Sequence, residues 1–299
     1  MSARTRGMGI HIGLYYLTDV PNLNISAIYA PTYRRDVLIM EFENIKLTRD
    51  GHIAVMAFNR PEAMNAISTQ TAREILAALE ELEQDDEVFA AVFTAEGDRA
   101  FCVGADLKER KTMTREEMKK QRALFVKAFT AVAEFSKPII AAVNGFALGG
   151  GCEFALCCDF IIASEQAAFG LPEVGLAIIP GGGGTQLMPR VIGRNKAKEL
   201  IYTGRRISAR DAYEIGLVNH VVPADKQMEK TMEIMREITK NGPVALRQAK
   251  RSINLGVELD LHTALALEAE CYNVCLTTED RDEGLLAFNE KRKPVYKGR

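Results

Sequence analysis

The chain has 299 residues, 47% of them hydrophobic and 26% charged, which is enough apolar material for one large core or two ordinary ones. A formal net charge of −2 and a pI near 6.2 supply no electrostatic reason to expect a nucleic acid or an anionic membrane as partner. No apolar run reaches the roughly 20 residues of a membrane helix. The six cysteines (Cys102, Cys152, Cys157, Cys158, Cys271 and Cys275) have neither zinc spacing nor a disulfide framework, and read as buried free thiols.

Residues 1–39 mix aromatic and polar side chains without sustained periodicity, and their one apolar piece, "IGLYYL", is short. They read as an extension rather than a secretory signal. The expected location is the cytoplasm, or the mitochondrial matrix if these Arg- and Ser-containing residues act as a transit peptide. The folded unit is expected to begin near Met40.

From there the pattern becomes regular. "HIAVMAFN" (52–59) predicts a strand, and "NRPEAMNAIS" a loop ending at an N-cap, Ser68. "TQTAREILAALEELEQ" has helical spacing; "FAAVFTAE" is a buried strand, "GDRAFCVGADL" a loop, and 114–135 a polar helix. "PIIAAVNGFAL" (138–148) reads as one strand, closed by glycines and a helix, and "DFIIASE" as another. Strands alternating with helices argue for an α/β core. After about residue 190 the chain turns mostly helical, with apolar faces that suggest packing onto another subunit.

Two glutamates stand out. In "ALGGGCEFALCCDF" (147–160) three glycines precede a helix start, where backbone N–H groups lack intrahelical partners and favour negative charge. Glu153 follows them, and its helix face is Leu156, Cys157 and Phe160. A carboxylate there needs a structural partner or a chemical task. Glu173, in "FGLPEVGLAIIPGGGGTQ", has a similar apolar, glycine-rich setting. Together they suit an acid/base pair, although each alone would more often be structural. The Gly-Ala-Asp turn in "FCVGADLK" could add a backbone donor to an oxyanion hole.

The set "NRPEAMNA", "FCVGADLKE", "AAVNGFALGGGCEFALCCD", "FGLPEVGLAIIPGGGGTQ", "TGRRISARDAYEIGLVNHVV" and "GLLAFNEKRKPVYKG" is similar, in order over residues 40–299, to the crotonase superfamily, and closely so to enoyl-CoA hydratases. The resemblance implies an α/β spiral of ββα units over 40–235, followed by a helical trimerisation region over 236–299, with trimers commonly paired into hexamers. It implies water addition across the 2,3-double bond of a short-chain trans-2-enoyl-CoA. Glu153 and Glu173 would be the catalytic pair, the first activating water and the second delivering a proton at Cα. The backbone N–H groups of Ala105 and Gly150 would form the oxyanion hole. Glu62, Ala63, Met64, Ala66, Ala105, Asp106, Leu107, Lys108 and Gly149 would bind the CoA thioester. Coenzyme A is part of the substrate, and neither a metal nor a separate cofactor is implied.

Retention of both glutamates favours hydration over isomerisation. A hydratase for a branched or carboxylated acyl group, such as 3-methylglutaconyl-CoA, is the nearest alternative, and choosing it would require a cation in an acyl pocket that the sequence does not locate. The run "KERKTMTREEMKKQR" (108–122) carries seven Lys/Arg against three Glu, but no interleaved aromatic platform for RNA. It reads as a solvated face or the rim of the CoA site, and Lys291 and Arg292 equally as a solvated face or a CoA contact. Leu187 stands where the family commonly has arginine, a change expected to affect packing rather than chemistry.

Overall fold

The computed structural model describes residues 42–299; the extension expected over 1–39 lies outside the described residues. Among the described residues, ten strands form two sheets. The larger holds β1 (Ile45–Asp50), β2 (Ile53–Phe58), β3 (Ala90–Ala95), β5 (Ile139–Val143), β7 (Phe160–Ser164) and β10 (His220–Val222), adjacent in that order. The β1–β2 hairpin is antiparallel and every later pairing is parallel. The smaller sheet aligns β4 (Ala100–Cys102), β6 (Phe146–Leu148), β8 (Ala168–Gly170) and β9 (Ile207–Ser208).

After the β1–β2 hairpin, the pairs β3/β4, β5/β6 and β7/β8 each add one strand to each sheet and are followed by helices, which is the expected ββα spiral. After β2 comes α1 (Thr69–Gln84). After β4 come α2 (Leu107–Lys111) and α3 (Arg115–Ala133), and after β6 comes α4 (Gly150–Cys157). Ser68 caps α1 through the Thr71 N–H, as its position predicts.

The parallel strands read as unbroken apolar runs because both faces of the large sheet are covered. Along β3, Ala91 and Phe93 face the main core, while Ala90 and Val92 face a smaller cluster. That cluster is closed by Met228, Met232 and Met235 of α8 (Gln227–Ile238), so the expected boundary at 235/236 falls within α8.

Two expectations need correction. "PIIAAVNGFAL" is not one strand but two, β5 and β6, in different sheets. Asn144 ends the first by donating to the Ala95 and Gly97 carbonyls, and a side chain at Gly145 would strike the Arg99 backbone at 2.5 Å. The expected loop at 97–107 contains β4, whose three residues are too few to show periodicity.

The remaining helices are α5 (Gly184–Ile192), α6 (Arg194–Thr203), α7 (Ala209–Glu214), α9 (Pro243–Gly256), α10 (Leu261–Leu276) and α11 (Glu279–Glu290). The last three keep much apolar surface in the open: Val257, Leu261 and Phe288 are 74%, 75% and 81% exposed. No helix among the described residues is long and apolar enough to cross a membrane.

Candidate active site

The three glycines of the 149–151 run answer three different demands. Gly149 has φ 53° and ψ −125°, outside what a side chain tolerates, and turns β6 into α4. Gly150 faces Gly104: a side chain on either would meet the other's backbone, at 2.9 Å from Gly104 to the Gly150 nitrogen. Gly151 packs so closely on β4 that a Cβ would lie 2.0 Å from the Cys102 carbonyl oxygen.

The first two of these bring a pair of backbone donors to one point. Ile67 bridges residues 104–106 by donating to the Gly104 carbonyl at 2.8 Å and accepting from the Asp106 N–H at 2.9 Å. In this parallel pattern the Ala105 N–H points the other way, towards Gly150. The Gly150 N–H opens α4 and has no intrahelical acceptor. A Cβ on Gly150 would stand 3.8 Å from the Ala105 nitrogen, so the two groups flank one small space.

One turn along α4, Glu153 is 3% exposed. Its Oε1 accepts from the Gly182 N–H at 2.6 Å and the Gly184 N–H at 2.8 Å. Burial raises its proton affinity, while the N–H groups of Gly184, Gly182 and Gly181 and the Arg122 charge pull it back. Its neighbour Phe154 is locked in an aromatic cluster, with ring centroids 4.5 Å from Phe93, 5.2 Å from Phe58 and 5.6 Å from Phe129. The helix carrying Glu153 is thus held on its buried side by tilted and edge-to-face aromatic contacts and on its polar side by the glycine loop.

Glu173 lies in a 3-10 turn (Glu173–Leu176) after β8. Its Oε1 comes within 3.0 Å of where a Cβ on Gly149 would stand, and its Oε2 is buried without a hydrogen-bond partner. Burial pushes this carboxyl up to about 7, the Glu153 charge adds to the effect, and its own N–H opposes it. The two carboxylates and both donor residues line one cleft of about 840 Å³, a size suited to an acyl thioester.

The residues expected to bind CoA are divided. Ala105, Leu107 and Gly149 line the cleft; Glu62, Ala63, Met64, Ala66, Asp106 and Lys108 do not. Asp106 instead caps α2 through the Lys108 and Glu109 N–H groups and pairs with Arg60 at 3.0 Å. Arg60 also donates to the Ala66 carbonyl, tying the 61–66 loop to the residue beside Ala105. Within that loop Met64 and Asn65 both adopt left-handed φ values, 53° and 56°. Buried Asn65 holds the turn by accepting from the Arg60 N–H and donating to the Glu96 and Ala100 carbonyls.

Sequence reasoning missed Arg60, Asn65 and the Gly182 and Gly184 donors, whose roles depend on residues distant in the chain. It also left Arg110 and Arg122 inside an undivided basic run, although both line the cleft. The spacing of Arg122 from Phe125 and Phe129 was the available signal. Leu187 packs in α5 at the edge of the main core, near Gly183. Arg292 is engaged by Glu283 and Glu290, and Lys291 closes α11.

Comparison with known proteins gives a consistent result. A family model described as enoyl-CoA hydratase/isomerase matches residues 48–299. The short-chain-enoyl-CoA hydratase of Clostridium acetobutylicum is 46% identical over 254 residues, covering 85% of this chain and 97% of that protein. The mitochondrial methylglutaconyl-CoA hydratase of Mus musculus is 44% identical over 250 residues, covering 82% and 80%. Among solved structures, an enoyl-CoA hydratase from Bacillus anthracis matches with a TM-score of 0.84 at 46% identity, over 86% of this chain and all of the other. The chain belongs to the enoyl-CoA hydratase/isomerase family.

Proposed function

We propose that the protein hydrates short-chain trans-2-enoyl-CoA thioesters to 3-hydroxyacyl-CoA. The observation that carries this reading is the meeting of two carboxylates and two outward-facing backbone N–H groups in one cleft. The thioester oxygen accepts from Ala105 and Gly150, the donors best placed for charge that develops there. Glu153, fixed through Oε1, takes a proton from water as the water oxygen bonds to C3. The π electrons of the C2–C3 bond move into the thioester enolate. Glu173, whose raised proton affinity keeps a large share of it protonated near neutrality, delivers its proton to C2. The proton gained by Glu153 then restores the pair. Moving a double bond requires only proton transfer between carbons, which one carboxylate can perform; the second favours water addition.

The residues of the 61–66 loop and of α2 lie beside the cleft, and CoA is assigned to them as the outer part of the substrate. The chain is assigned to a homotrimer or a dimer of trimers. The exposed apolar side chains of α9–α11 support that reading, with residues 236–299 as the oligomerisation region.

The direct test is the initial rate of crotonyl-CoA hydration, followed as loss of conjugated-thioester absorbance. Formation of 3-hydroxybutyryl-CoA is the expected result. A double-bond shift without uptake of water would replace hydration by isomerisation.

A further inference from the structure

Among the described residues, the charged side chains that line the cleft besides Glu153 and Glu173 are Arg110 and Arg122. The two arginines are placed differently. Arg110, in α2, is engaged within its own corner: its Nε donates to Oε1 of Gln121 at 2.8 Å, its guanidinium carbon lies 5.4 Å from the Phe125 ring centroid, and the Glu109 charge acts on it. Arg122, in the second turn of α3, rests on the loop that fixes Glu153.

A Cβ on Gly181 would stand 3.1 Å from an outer guanidinium nitrogen of Arg122 and 3.3 Å from its Cζ and Nε. The next residue, Gly182, donates to Glu153 Oε1 at 2.6 Å. A Cβ on Gly182 would stand 3.0 Å from Glu153 Oε2 and 2.9 Å from the Phe129 ring. Arg122 and Phe129 share one face of α3, two helical turns apart. That helix therefore meets two consecutive loop residues, one with a cation and one with a ring, and the missing side chains at 181 and 182 let both come close.

The charge reaches one carboxylate of the pair. Arg122 lowers the proton affinity of Glu153, together with the loop N–H groups and against the effect of burial. Glu173 is governed by burial, by its own N–H and by the Glu153 charge, and neither arginine is among the influences on it. The other titratable groups that sense Glu153 are Cys152 and Cys157 on its own helix, thiols that burial keeps protonated. Two carboxyls facing one cleft titrate as a pair, and a cation beside one of them selects which gives up its proton first.

We infer that Arg122 is a positioning residue for the base: from α3 it braces the glycine loop at Gly181 and sets its charge on the Glu153 side of the cleft, which makes Glu153 rather than Glu173 the carboxylate that accepts the proton of water. The inference rests on the hydratase reading for its reaction, and adds to it a residue that acts through Glu153 and not on the substrate. The backbone donors favour the same assignment; Arg122 supplies the charge that they lack.

The experiment records kcat/KM for crotonyl-CoA hydration as a function of pH in the wild-type protein, Arg122→Gln and Arg122→Lys, at low and high sodium chloride. This ratio titrates with the free enzyme, so its acid limb follows loss of the Glu153 proton and its alkaline limb loss of the Glu173 proton. Arg122→Gln should move the acid limb to higher pH and leave the alkaline limb in place. The loss of kcat/KM on the acid side should be roughly two- to fivefold, the range of one exposed charge pair. Arg122→Lys should keep most of the wild-type limb. Arg122 is exposed, so added salt should move the wild-type acid limb towards that of Arg122→Gln and hardly move the limb of that variant. Acid limbs that coincide in all three proteins would overturn the inference, whatever the overall rate. So would a raised KM with kcat and both limbs unchanged, which would assign Arg122 to the substrate. If the wild type hydrates no crotonyl-CoA, the hydratase reading fails. The role of Arg122 then stands or falls on the carbon-13 titration of the Glu153 carboxyl, identified by its absence from Glu153→Gln, which Arg122→Gln must shift to higher pH.

Discussion

Glu153 and Glu173 are twenty residues apart in sequence and face one cleft, yet their surroundings differ in kind. Glu153 sits on a buried helix, and Oε1 is fixed by two N–H groups from the glycine loop. Glu173 sits in a short turn with one buried oxygen unpartnered. A carboxylate held by backbone donors has a fixed direction and remains available as a base. One half-buried among apolar side chains, with only its own N–H opposing the effect of burial, holds its proton more tightly and can serve as an acid. The backbone, rather than the identity of the side chain, separates the two roles.

The largest expected effect comes from removing the chemistry while keeping the shape. Glu153→Gln and Glu173→Gln should each lower kcat for hydration by roughly 10²-fold or more, with CoA-thioester affinity retained. Calorimetric titration with a saturated thioester checks the second half of that statement. A variant with near-normal turnover would remove its residue from the proposed mechanism.

A smaller effect should come from disturbing only the anchoring. In Gly182→Ala the new Cβ would stand 2.9 Å from the Phe129 ring and 3.0 Å from Glu153 Oε2, so the loop must shift and the 2.6 Å bond to Oε1 must lengthen. A fall in kcat of about tenfold follows from misplacing the base rather than deleting it. The comparison sharpens if Gly175→Ala, in the Glu173 turn with open space around it, has a much smaller effect; equal losses would mean that the two settings are equally tight.

The smallest effect concerns stability. The Glu173 carboxyl is raised from an ordinary 4.5 to about 7 in the folded protein. Folding therefore favours its protonated form. That contribution is fully present below about pH 4.5 and is lost as pH rises through about 7. Glu173→Gln carries no such loss. It should melt about 2 °C above the wild type at pH 8, a modest gain because the site is partly solvated, and show little of that gain at pH 4. A gain confined to low pH would contradict the burial argument. Lower activity with higher stability above neutrality would be the usual trade at a strained site.

Much of the fold was readable because its signals are local. The α1 cap at Ser68, the amphipathic spacing of α1 and the apolar runs of β3, β5 and β7 each depend on residues within one or two turns. The break at Asn144–Gly145 was not readable, since it is made by carbonyls at 95 and 97 and by the Arg99 backbone. The site divided in the same way. Glu153, Glu173, Ala105 and Gly150, named from their motifs, line one cleft, whereas the engagement of the Asp106 side chain by Arg60 joins residues that the sequence does not connect.

The sequence by itself determined which residues could carry charge in apolar surroundings and where glycine removed the side chain that would block a ligand. It determined the alternation of strand and helix through the period of its apolar residues. Only the tertiary structure decided that the residue 105 and residue 150 N–H groups face one space, that Gly182 and Gly184 fix one glutamate and leave the other free, and that two arginines from a basic run turn into the cleft. Those outcomes depend on contacts between segments distant in the chain, set by the strand order of two sheets and by packing without room for a methyl group.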